Sequence, residues 1–519
     1  MTEYLGFKWL SETLNIGPVQ PFQVQSRLGS TRETLISDGY VQQTFPTQFC
    51  LAPTLRAHLQ FALKYEVMHL EFLSRLFDAI APAELEQWIR ESPTGQYARR
   101  SCFFYEWTTG RRLDVPDVAA GNYVDALSKE DYLTATRTIN HPRWRVRDNL
   151  PGTVEFCPIV HRNPDIEALE QYDCAGALKA LEIEFGADLL RRSAVWLTVK
   201  ESRASFAIEH EEQQSDRIQR FAMVMEERCG AGMDPLETQA LTDLQQAMLG
   251  LATRYGMRKS PVFVGHTGSY ANVVDYIAPH WQESEGLLRG LRAFVARTAG
   301  AAPLLRCAVT SFGFVYIHPM VDGNGRISRF LVNDILRRDG AVPAPFILPI
   351  SATITNSASA KAGYDQVLER FSRPLMQRYA GRALFGDATV FEDGVTSNFH
   401  FDGYDDALPA WRYPDLTFHA QYLGNVIRLT IEQEMGKEAM VLQRFERARV
   451  AVKNHLEGPN PDVDRIIRSV KDNDWRLSNK LVAQFPQLSD PLLAGRVVAA
   501  IKDALTGQSD KRKDEEPTG

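Results

Sequence analysis

The sequence predicts a mainly helical protein of more than one domain, with short strands near its N-terminus and one strand-like insert in its middle. Three observations support this fold class. Apolar residues from Leu55 to Phe77 repeat at helical spacing. The same periodicity returns from about residue 164 to 228 and continues, with the insert, to about residue 375. A further long helical pattern runs from Asp415 to about His455.

The chain divides into regions of different character. Its 519 residues exceed what one ordinary core accommodates, so two to four domains are expected. Residues 1–163 are predicted as a helical and short-strand region, because turn signals separate short runs such as Cys102–Tyr105. Residues 164–375 form the predicted helical core, and residues 376–506 a helical C-terminal region. Residues 507–519 are almost all charged, polar or small, which predicts a disordered tail.

Composition narrows the class of protein. The net charge of −7 argues against non-specific binding to nucleic acid or to a membrane surface, because both rest on surplus Lys and Arg. We see no apolar run near the roughly 20 residues of a membrane helix and no signal-peptide pattern. The six cysteines are scattered without a C-x-x-C pair, as expected of reduced thiols. We therefore expect a cytoplasmic protein.

Chemistry is concentrated between His318 and Arg329. An apolar helical face ends at Pro319, which lacks an N–H and restricts the residue before it. A second helical face begins at Ile327, so the segment between them is predicted to be a tight, glycine-rich loop. The first N–H groups of the second helix have no intrahelical partner and lie at its positive end. This arrangement is typical of an anion-binding site.

The side chains of the segment suit the transfer of a phosphate-containing group. Arg326 and Arg329 are three residues apart, so both can reach one ligand from the same helix face. Asp322 offers oxygen ligands suited to Mg²⁺, and His318 is a natural general base near neutral pH. The chain has no P-loop motif, and residues 322–333 lack the ligands of a calcium-binding EF-hand. A plain helix–helix turn is the alternative interpretation.

These residues resemble the signature motif of the Fic (filamentation-induced-by-cAMP) family, H-P-F-x-(D/E)-G-N-G-R-x-x-R. The chain departs from it only at Met320, where the family usually has Phe and where Met still supplies an apolar filler. The resemblance covers about residues 165–375 and implies a Fic-type helical bundle with a small β-hairpin flap. The mixed α/β N-terminal region and the helical C-terminal region would flank this bundle. The predicted flap residues, placed to dock a target segment by strand addition, are Val262, Phe263 and Val264.

The resemblance also implies an activity and its residues. It implies a protein adenylyltransferase that moves AMP from ATP to a Tyr, Thr or Ser hydroxyl of a protein substrate, itself included, with His318 as the base. Asp322 would hold Mg²⁺ or Mn²⁺. Fic proteins often form homodimers, so a homodimer is expected. The residues implied to bind ATP are Gly323, Asn324, Gly325, Arg326 and Arg329, together with Tyr364 near the adenine.

A segment before the core is similar to the family's inhibitory helix motif, (S/T)-x-x-x-E-(G/N). Ser205 and Glu209 match it, and His210 departs from the usual Gly or Asn. The resemblance implies that Glu209 pairs with Arg329 and takes away the clamp for the γ-phosphate of ATP. Family members with such a glutamate can also remove AMP, using it to orient water.

Two other classes of function stay open. Related folds transfer UMP or phosphocholine or act as kinases. The chain could instead be a binding or regulatory module, with a non-catalytic Fic-like scaffold and a winged-helix-like DNA reader near Leu28–Leu35. The acidic net charge argues against the DNA reader, and the intact His318 and Asp322 argue against the scaffold.

Overall fold

A computed structural model describes residues 3–250, 256–267 and 272–507 of the chain. Helices make up 58% of the described residues and the strands form only small sheets, which confirms the predicted mainly helical fold class. The predicted disordered tail beyond Gly507 lies outside the described residues. In the ranges that the structure describes, no helix is long and apolar enough to cross a membrane.

The N-terminal region combines two small sheets with a group of helices. The first sheet has the order β1–β2–β4–β3, with β2 and β4 parallel and β3 at its edge. Its strands are β1 (Tyr4–Leu5), β2 (Val24–Gly29), β3 (Glu33–Ser37) and β4 (Tyr40–Pro46). The second sheet is formed by β5 (Val124–Asp125), β6 (Ile139–His141) and β7 (Val146–Asp148). The helices are α1 (Gly6–Leu14), α2 (Leu55–Tyr65), α3 (Leu70–Ala79), α4 (Pro82–Glu91) and α5 (Gln96–Thr109).

The central region is helical apart from one antiparallel hairpin of β8 (Phe263–Thr267) and β9 (Asn272–Ile277). The helices before this hairpin are α6 (Pro164–Glu170), α7 (Cys174–Phe185), α8 (Ala187–Ile208), α9 (Ser215–Arg228) and α10 (Thr238–Leu249). The helices after it are α11 (Ser284–Arg297), α12 (Pro303–Ile317), α13 (Asn324–Arg338), α14 (Ile350–Thr355) and α15 (Ala358–Tyr379).

The C-terminal region begins with a second antiparallel hairpin of β10 (Ala383–Val390) and β11 (Thr396–Phe401). Helices α16 (Tyr404–Arg412) and α17 (Thr417–Leu429) follow. A π-helical turn over Thr430–Met435 joins α17 to α18 (Gly436–Lys453). The last helices are α19 (Asn460–Asp472), α20 (Asn479–Gln484) and α21 (Pro491–Thr506).

The chain forms two compact units, each of which draws on more than one of the predicted regions. The first unit comprises Met1–Tyr172, Ser202–Val342 and Ile350–Arg428, and it contains both hairpins, α12 and α13. The second unit comprises Asp173–Glu201, Pro343–Pro349 and Leu429–Gly519. Its α18, α19 and α21 pack on a shared apolar core that includes Val452, Ile467, Val497 and Ile501.

Several local predictions are wrong. Cys102–Tyr105, predicted as a short strand, lies inside α5, where it is buried and the aromatic run gives no helical period to detect. The helix predicted across residues 55–77 is two helices, α2 and α3. The predicted helical C-terminal region begins instead with the β10–β11 hairpin, whose turn includes Gly394 at φ +74°. Leu28–Leu35 spans the end of β2 and the start of β3, so no DNA-reading helix forms there.

Helix α12 is an interior helix, and its position depends on two glycines. Thirteen of its 15 residues are buried, as expected of a helix that is apolar on all sides. The side chain of Phe156 fills the space between Gly290 of α11 and Gly313 of α12. A Cβ at Gly313 would lie 2.9 Å from the Phe156 ring, and one at Gly290 would lie 2.5 Å from both the Cβ and the main-chain nitrogen of Phe156.

We expect Gly290→Ala to destabilise the protein. The new methyl would meet the main chain of Phe156, which cannot yield easily, and overpacking of this kind costs about 1–3 kcal/mol. The helix propensity of Ala offsets about 1 kcal/mol of that. The control is Gly286→Ala on the same helix, where the nearest atom would be 3.6 Å away and the free energy of unfolding should be unchanged or slightly raised. Urea unfolding of both variants checks this, and equal midpoints would contradict it.

Candidate active site

The candidate site is built where α12 ends and α13 begins. His318 follows the last residue of α12 in the left-handed conformation, with φ 49° and ψ 55°, and its N–H donates to the carbonyl of Phe314 at 2.9 Å. The chain then turns over a short loop, and Gly323 adopts φ +82° immediately before α13. Glycine takes up this left-handed conformation without the strain that a Cβ would add. The imidazole of His318 and the positive, N-terminal end of α13 thus lie at the two ends of one short loop.

Two side chains hold the loop in shape. The amide of Asn324 accepts a hydrogen bond from the N–H of Met320 and donates one to its carbonyl, both at 2.9 Å. Asn324, predicted to bind ATP, is therefore occupied within the loop and shapes it. The buried Gln245 of α10 donates to the carbonyl of Asp322 at 2.7 Å and accepts from the N–H of Gly256 at 2.8 Å. Gln245 belongs to no motif, and its sequence surroundings give no signal for this contact.

The imidazole of His318 is held in one tautomer. Its Nδ1 lies 3.2 Å from the carbonyl of Val315, and a carbonyl can only accept, so Nδ1 carries the proton and Nε2 the lone pair. Burial lowers the pKa of His318 to about 4, and the nearby guanidinium of Arg258 acts in the same direction. The residue is thus unprotonated at neutral pH, although a pKa near neutrality is the sequence expectation.

Both motif arginines are engaged by carboxylates. Arg326 forms an ion pair with Glu211 and a second one with Asp322 at 2.9 Å, and its guanidinium lies 5.0 Å from the centre of the Phe206 ring. It is only 3% exposed, so these charges interact with little screening. Glu211 is absent from the sequence predictions, because it lies beyond the motif that contains Glu209.

Arg329 is bound by the helix that resembles the inhibitory motif. Its guanidinium donates to the hydroxyl of Ser205 at 2.7 Å, to the carbonyl of Ser205 at 3.1 Å and to the carboxylate of Glu209 at 2.5 Å. Burial acts to raise the pKa of Glu209, but the charges of Arg329 and Arg326 outweigh it and hold the pKa below its usual value. Glu209 is therefore ionised at neutral pH.

The Glu209 carboxylate also lies directly over the loop. A Cβ built on Gly325 would be only 2.1 Å from Oε1 of Glu209. The carboxylate thus occupies space against the first turn of α13, where an anion is favoured. Glycine at this position is what permits the close approach.

The end of the helix that resembles the inhibitory motif explains the departure at His210. Helix α8 ends at Ile208, and His210 adopts the left-handed conformation with φ 57°. Gly and Asn are the residues that favour this conformation, which matches their use in the family motif. The N–H of Glu211 donates back to the carbonyl of Phe206 at 2.9 Å, so the chain turns sharply and brings Glu211 to Arg326.

The flap residues lie on two sides of the hairpin. Val262 precedes β8, and its carbonyl accepts from the N–H of Ala278 at 3.1 Å. Phe263 faces the second hairpin, with its ring centre 4.8 Å from that of Phe399 and 5.4 Å from that of Phe385. Its side chain therefore braces the flap, whereas Val264 is exposed.

A cavity of about 690 Å³ connects the flap to the imidazole. Its lining includes Val264 and Val274 of the flap, His318, and Asp365 and Leu368 of α15. A target side chain entering this cavity would meet His318. Tyr364, predicted near the adenine, immediately precedes Asp365 in α15, and its ring centre lies 6.4 Å from that of Phe312. Burial raises the pKa of its phenol, and the charge of Arg329 acts against this shift.

Asp322 is the candidate metal ligand. Its Oδ1 accepts hydrogen bonds from Arg326 and from the N–H of Gly323 at 2.6 Å, and its side chain is 37% exposed. Among the described residues, no group of three or more His, Cys, Asp or Glu side chains could hold a metal ion. One exposed carboxylate fits Mg²⁺, which is usually held by one or two carboxylates, waters and substrate phosphates.

Comparisons with known proteins point to one family. The family model described as "Fic/DOC family" matches residues 235–336, a range that includes the flap and the His318–Arg329 motif. The chain is 31% identical over 99 residues to "Protein adenylyltransferase fic-1" of Caenorhabditis elegans, covering 18% of this chain and 19% of that protein. It is 34% identical over 91 residues to the protein of the same name from Caenorhabditis briggsae, covering 16% and 18%. The alignments thus span about a fifth of the curated relatives.

Solved structures give weaker likenesses. A Fic family protein from Desulfovibrio desulfuricans G20 aligns with a TM-score of 0.37 and 17% identity, over 63% of this chain and 94% of that one. A Fic domain containing signaling protein from Bacteroides thetaiotaomicron VPI-5482 aligns with a TM-score of 0.33 and 16% identity, over 53% and 97%. These TM-scores are too low to add to the assignment, which rests on the sequence matches. Residues 235–336 of this chain thus match the Fic/DOC family, and that matched segment contains the whole His318–Arg329 motif.

Proposed function

We propose that this protein transfers AMP from ATP to a hydroxyl side chain of a protein, and that Glu209 and Glu211 hold the resting site closed. One observation carries the proposal. A carboxylate of the chain itself, that of Glu209, lies on Arg329 and against Gly325, at the N-terminus of α13. The site therefore already accommodates an anion where a nucleotide phosphate would bind.

The cradle suits a triphosphate. Backbone N–H groups at the start of α13 and the guanidiniums of Arg326 and Arg329 supply positive charge on one side of the loop. Asp322 would hold Mg²⁺, or Mn²⁺, together with phosphate oxygens, and the ion would neutralise part of the charge on the triphosphate. The side chain of Asn324 fixes the shape of the loop for this ligand through its two hydrogen bonds to the main chain of Met320.

The reaction needs a base beside the target hydroxyl. Nε2 of His318 would take the hydroxyl proton while the oxygen attacks the α-phosphorus of ATP. A phosphodiester bond forms to the target oxygen, the bond between the α-phosphorus and the bridging oxygen breaks, and pyrophosphate leaves. The negative charge of bound ATP would raise the pKa of His318 from its low value and so strengthen the base.

Removal of AMP is a second candidate reaction of the same site. It requires a group that orients water for attack on the phosphodiester. Glu209 is ionised and lies within the cradle, so its carboxylate could accept a hydrogen bond from such a water. Transfer of UMP, of phosphocholine or of a phosphoryl group is the alternative forward chemistry, and a comparison of nucleotide donors distinguishes these from AMP transfer.

We expect Glu209→Gly to raise AMP transfer. Removal of the carboxylate frees Arg329 for the γ-phosphate, and one charge-assisted contact is worth about 10- to 100-fold. Intact-mass analysis after incubation with ATP and Mg²⁺ would show added AMP on the protein, and labelled ATP would quantify it. The exposed Glu212→Gly is the matched control and should behave as the parent.

His318→Ala in the Glu209→Gly background should reduce transfer by about 10²–10⁴-fold. Full activity of that double variant would refute the proposed base.

Glu211 should act as a second inhibitory residue. It engages Arg326, so Glu209→Gly alone leaves that guanidinium partly occupied. We expect Glu209→Gly/Glu211→Ala to have a KM for ATP about 10-fold below that of Glu209→Gly, the lower end of the value of one charge-assisted contact. Glu209→Gly/Glu212→Ala is the control. A higher KM in the Glu211 variant would mean that Glu211 orients Arg326 for ATP instead of blocking it.

The pH dependence of AMP transfer reports on His318. The base must be unprotonated, and its folded pKa is about 4, so activity is present above that pKa and is lost as pH falls through it. In the Glu209→Gly variant, we expect kcat/KM for ATP, which reports the pKa of the free enzyme, to show no acid limb between pH 5 and 7. A limb centred near 6.5, the value of a solvated histidine, would contradict this position for the imidazole.

A further inference from the structure

Arg258 lies between the two halves of the candidate site. The chain around it runs beside the start of the motif, because its N–H donates to the carbonyl of Pro319 at 2.9 Å and the N–H of Val321 donates to the carbonyl of Gly256 at 3.2 Å. The side chain is only 2% exposed. A fully buried arginine this close to the base requires an explanation, since burying a charge is costly.

The guanidinium is satisfied by main-chain carbonyls. It donates to the carbonyl of His318 at 2.6 Å and to that of Ile317 at 3.4 Å, both at the C-terminal end of α12. It also donates to the carbonyl of Ser260 at 3.2 Å and to that of Pro279 at 2.6 Å. Ser260 precedes β8 and Pro279 follows β9. One side chain therefore joins the end of the helix that carries the base to both ends of the flap.

This contact stabilises both the buried guanidinium of Arg258 and the C-terminal end of α12. The last carbonyls of a helix have no intrahelical donor and carry partial negative charge, which a cation stabilises. His318 is in the left-handed conformation, which is strained for a residue with a Cβ, and the bond to its carbonyl opposes relaxation of that turn. The planar guanidinium reaches carbonyls on both sides at once, and a lysine ammonium has no such fork.

We propose that Arg258 is a positioning residue for the transfer reaction, which fixes the His318 turn in register with the flap so that the base and a docked hydroxyl meet. The expected effect on kcat rests on the proposed function, whereas the link between the base and the flap rests on geometry alone. A displacement of about 1 Å between reacting groups can cost about 10²-fold in rate, so a rigid link between base and flap matters.

The charge of Arg258 gives the proposal a second readout. The charged groups that act on His318 are Arg258, Glu209 and Asp322, and the carbonyl of Val315 accepts from its ring. Burial is the main reason for the low pKa of His318, and Arg258 is the next one. Loss of this cation should therefore raise the pKa of His318, whereas a lysine at the same position should keep it low.

The test compares Arg258→Lys and Arg258→Met in the full chain carrying Glu209→Gly. The matched controls are Arg306→Lys and Arg306→Met. Arg306 is also buried, at 3% exposure, and donates to the carbonyl of Val295 at 2.7 Å, but it lies away from the site. Three quantities are measured: hydrogen exchange of the amides of β8 and β9, the pH titration of the His318 ring by NMR, and kcat and KM for ATP in AMP transfer.

We expect Arg258→Lys to speed amide exchange in β8 and β9 and to lower kcat by about 10-fold, while the KM for ATP changes less than about twofold, because position and not donor binding is affected. Its His318 should titrate as in the parent. Arg258→Met should lower kcat by about 10²-fold and move the titration of His318 upward, toward the ordinary value. The Arg306 variants should change thermal stability without changing flap exchange, kcat or the titration of His318.

The proposal is overturned if the Arg258 variants change flap exchange and kcat no more than the Arg306 variants do. If Arg258→Met does not fold, Arg258→Lys decides the question through flap exchange and the kcat-to-KM split. If the Glu209→Gly parent transfers no AMP, the proposed function fails, and the exchange and titration measurements still support or refute the link between flap and base.

Discussion

The turn between α12 and α13 positions His318, Asp322 and the start of α13, and two hydrogen bonds between Asn324 and the main chain of Met320 hold it. Because both bonds go to one residue, the Asn324 side chain closes the loop on itself. The buried α12 fixes one end of the turn, and Gln245 fixes its middle at Asp322. Loss of the Asn324 amide would leave buried polar groups of Met320 unpaired, a cost of about 1–3 kcal/mol.

Electrostatic balance explains the resting arrangement. The nearly buried guanidiniums of Arg326 and Arg329 lie near the positive end of α13, and this concentration of positive charge requires nearby negative charge. Glu209, Glu211 and Asp322 provide it in the structure. Bound nucleotide would provide it in the active state. On the proposed function, inhibition by Glu209 and binding of a nucleotide would thus be two ways of satisfying one set of cations.

Local features of the site could be predicted from the sequence, whereas contacts between distant segments could not. The helix–loop–helix arrangement follows from periodicity, Pro319 and the glycines, all within a short stretch. The pairing of Glu209 with Arg329 required a family resemblance, because 120 residues separate them. Gln245, Arg258 and Glu211 were beyond prediction for a related reason. Each acts through partners brought near only by folding, and each looks like an ordinary residue of a helix or loop in isolation.

Some elements were mispredicted because packing overrides local pattern. The aromatic residues of α5 are buried on several sides, so they carry no amphipathic period. The β10–β11 hairpin interrupts a region of strong helical signal with strands of at most eight residues. Its role becomes clear only in the folded protein, where Phe385 and Phe399 receive Phe263 of the flap.

The close approach of Glu209 to Gly325 has a consequence for how such a site can evolve or be engineered. A Cβ at position 325 would lie 2.1 Å from Oε1 of Glu209, so a side chain there would exclude the carboxylate. On the proposed function, a nucleotide phosphate bound at the same place would be subject to the same steric constraint. Selectivity between the carboxylate and a phosphate would have to come from the Glu209 side of this contact. On the proposed function, the segment that follows α8 would have to move away from Arg329 before a nucleotide phosphate could bind there.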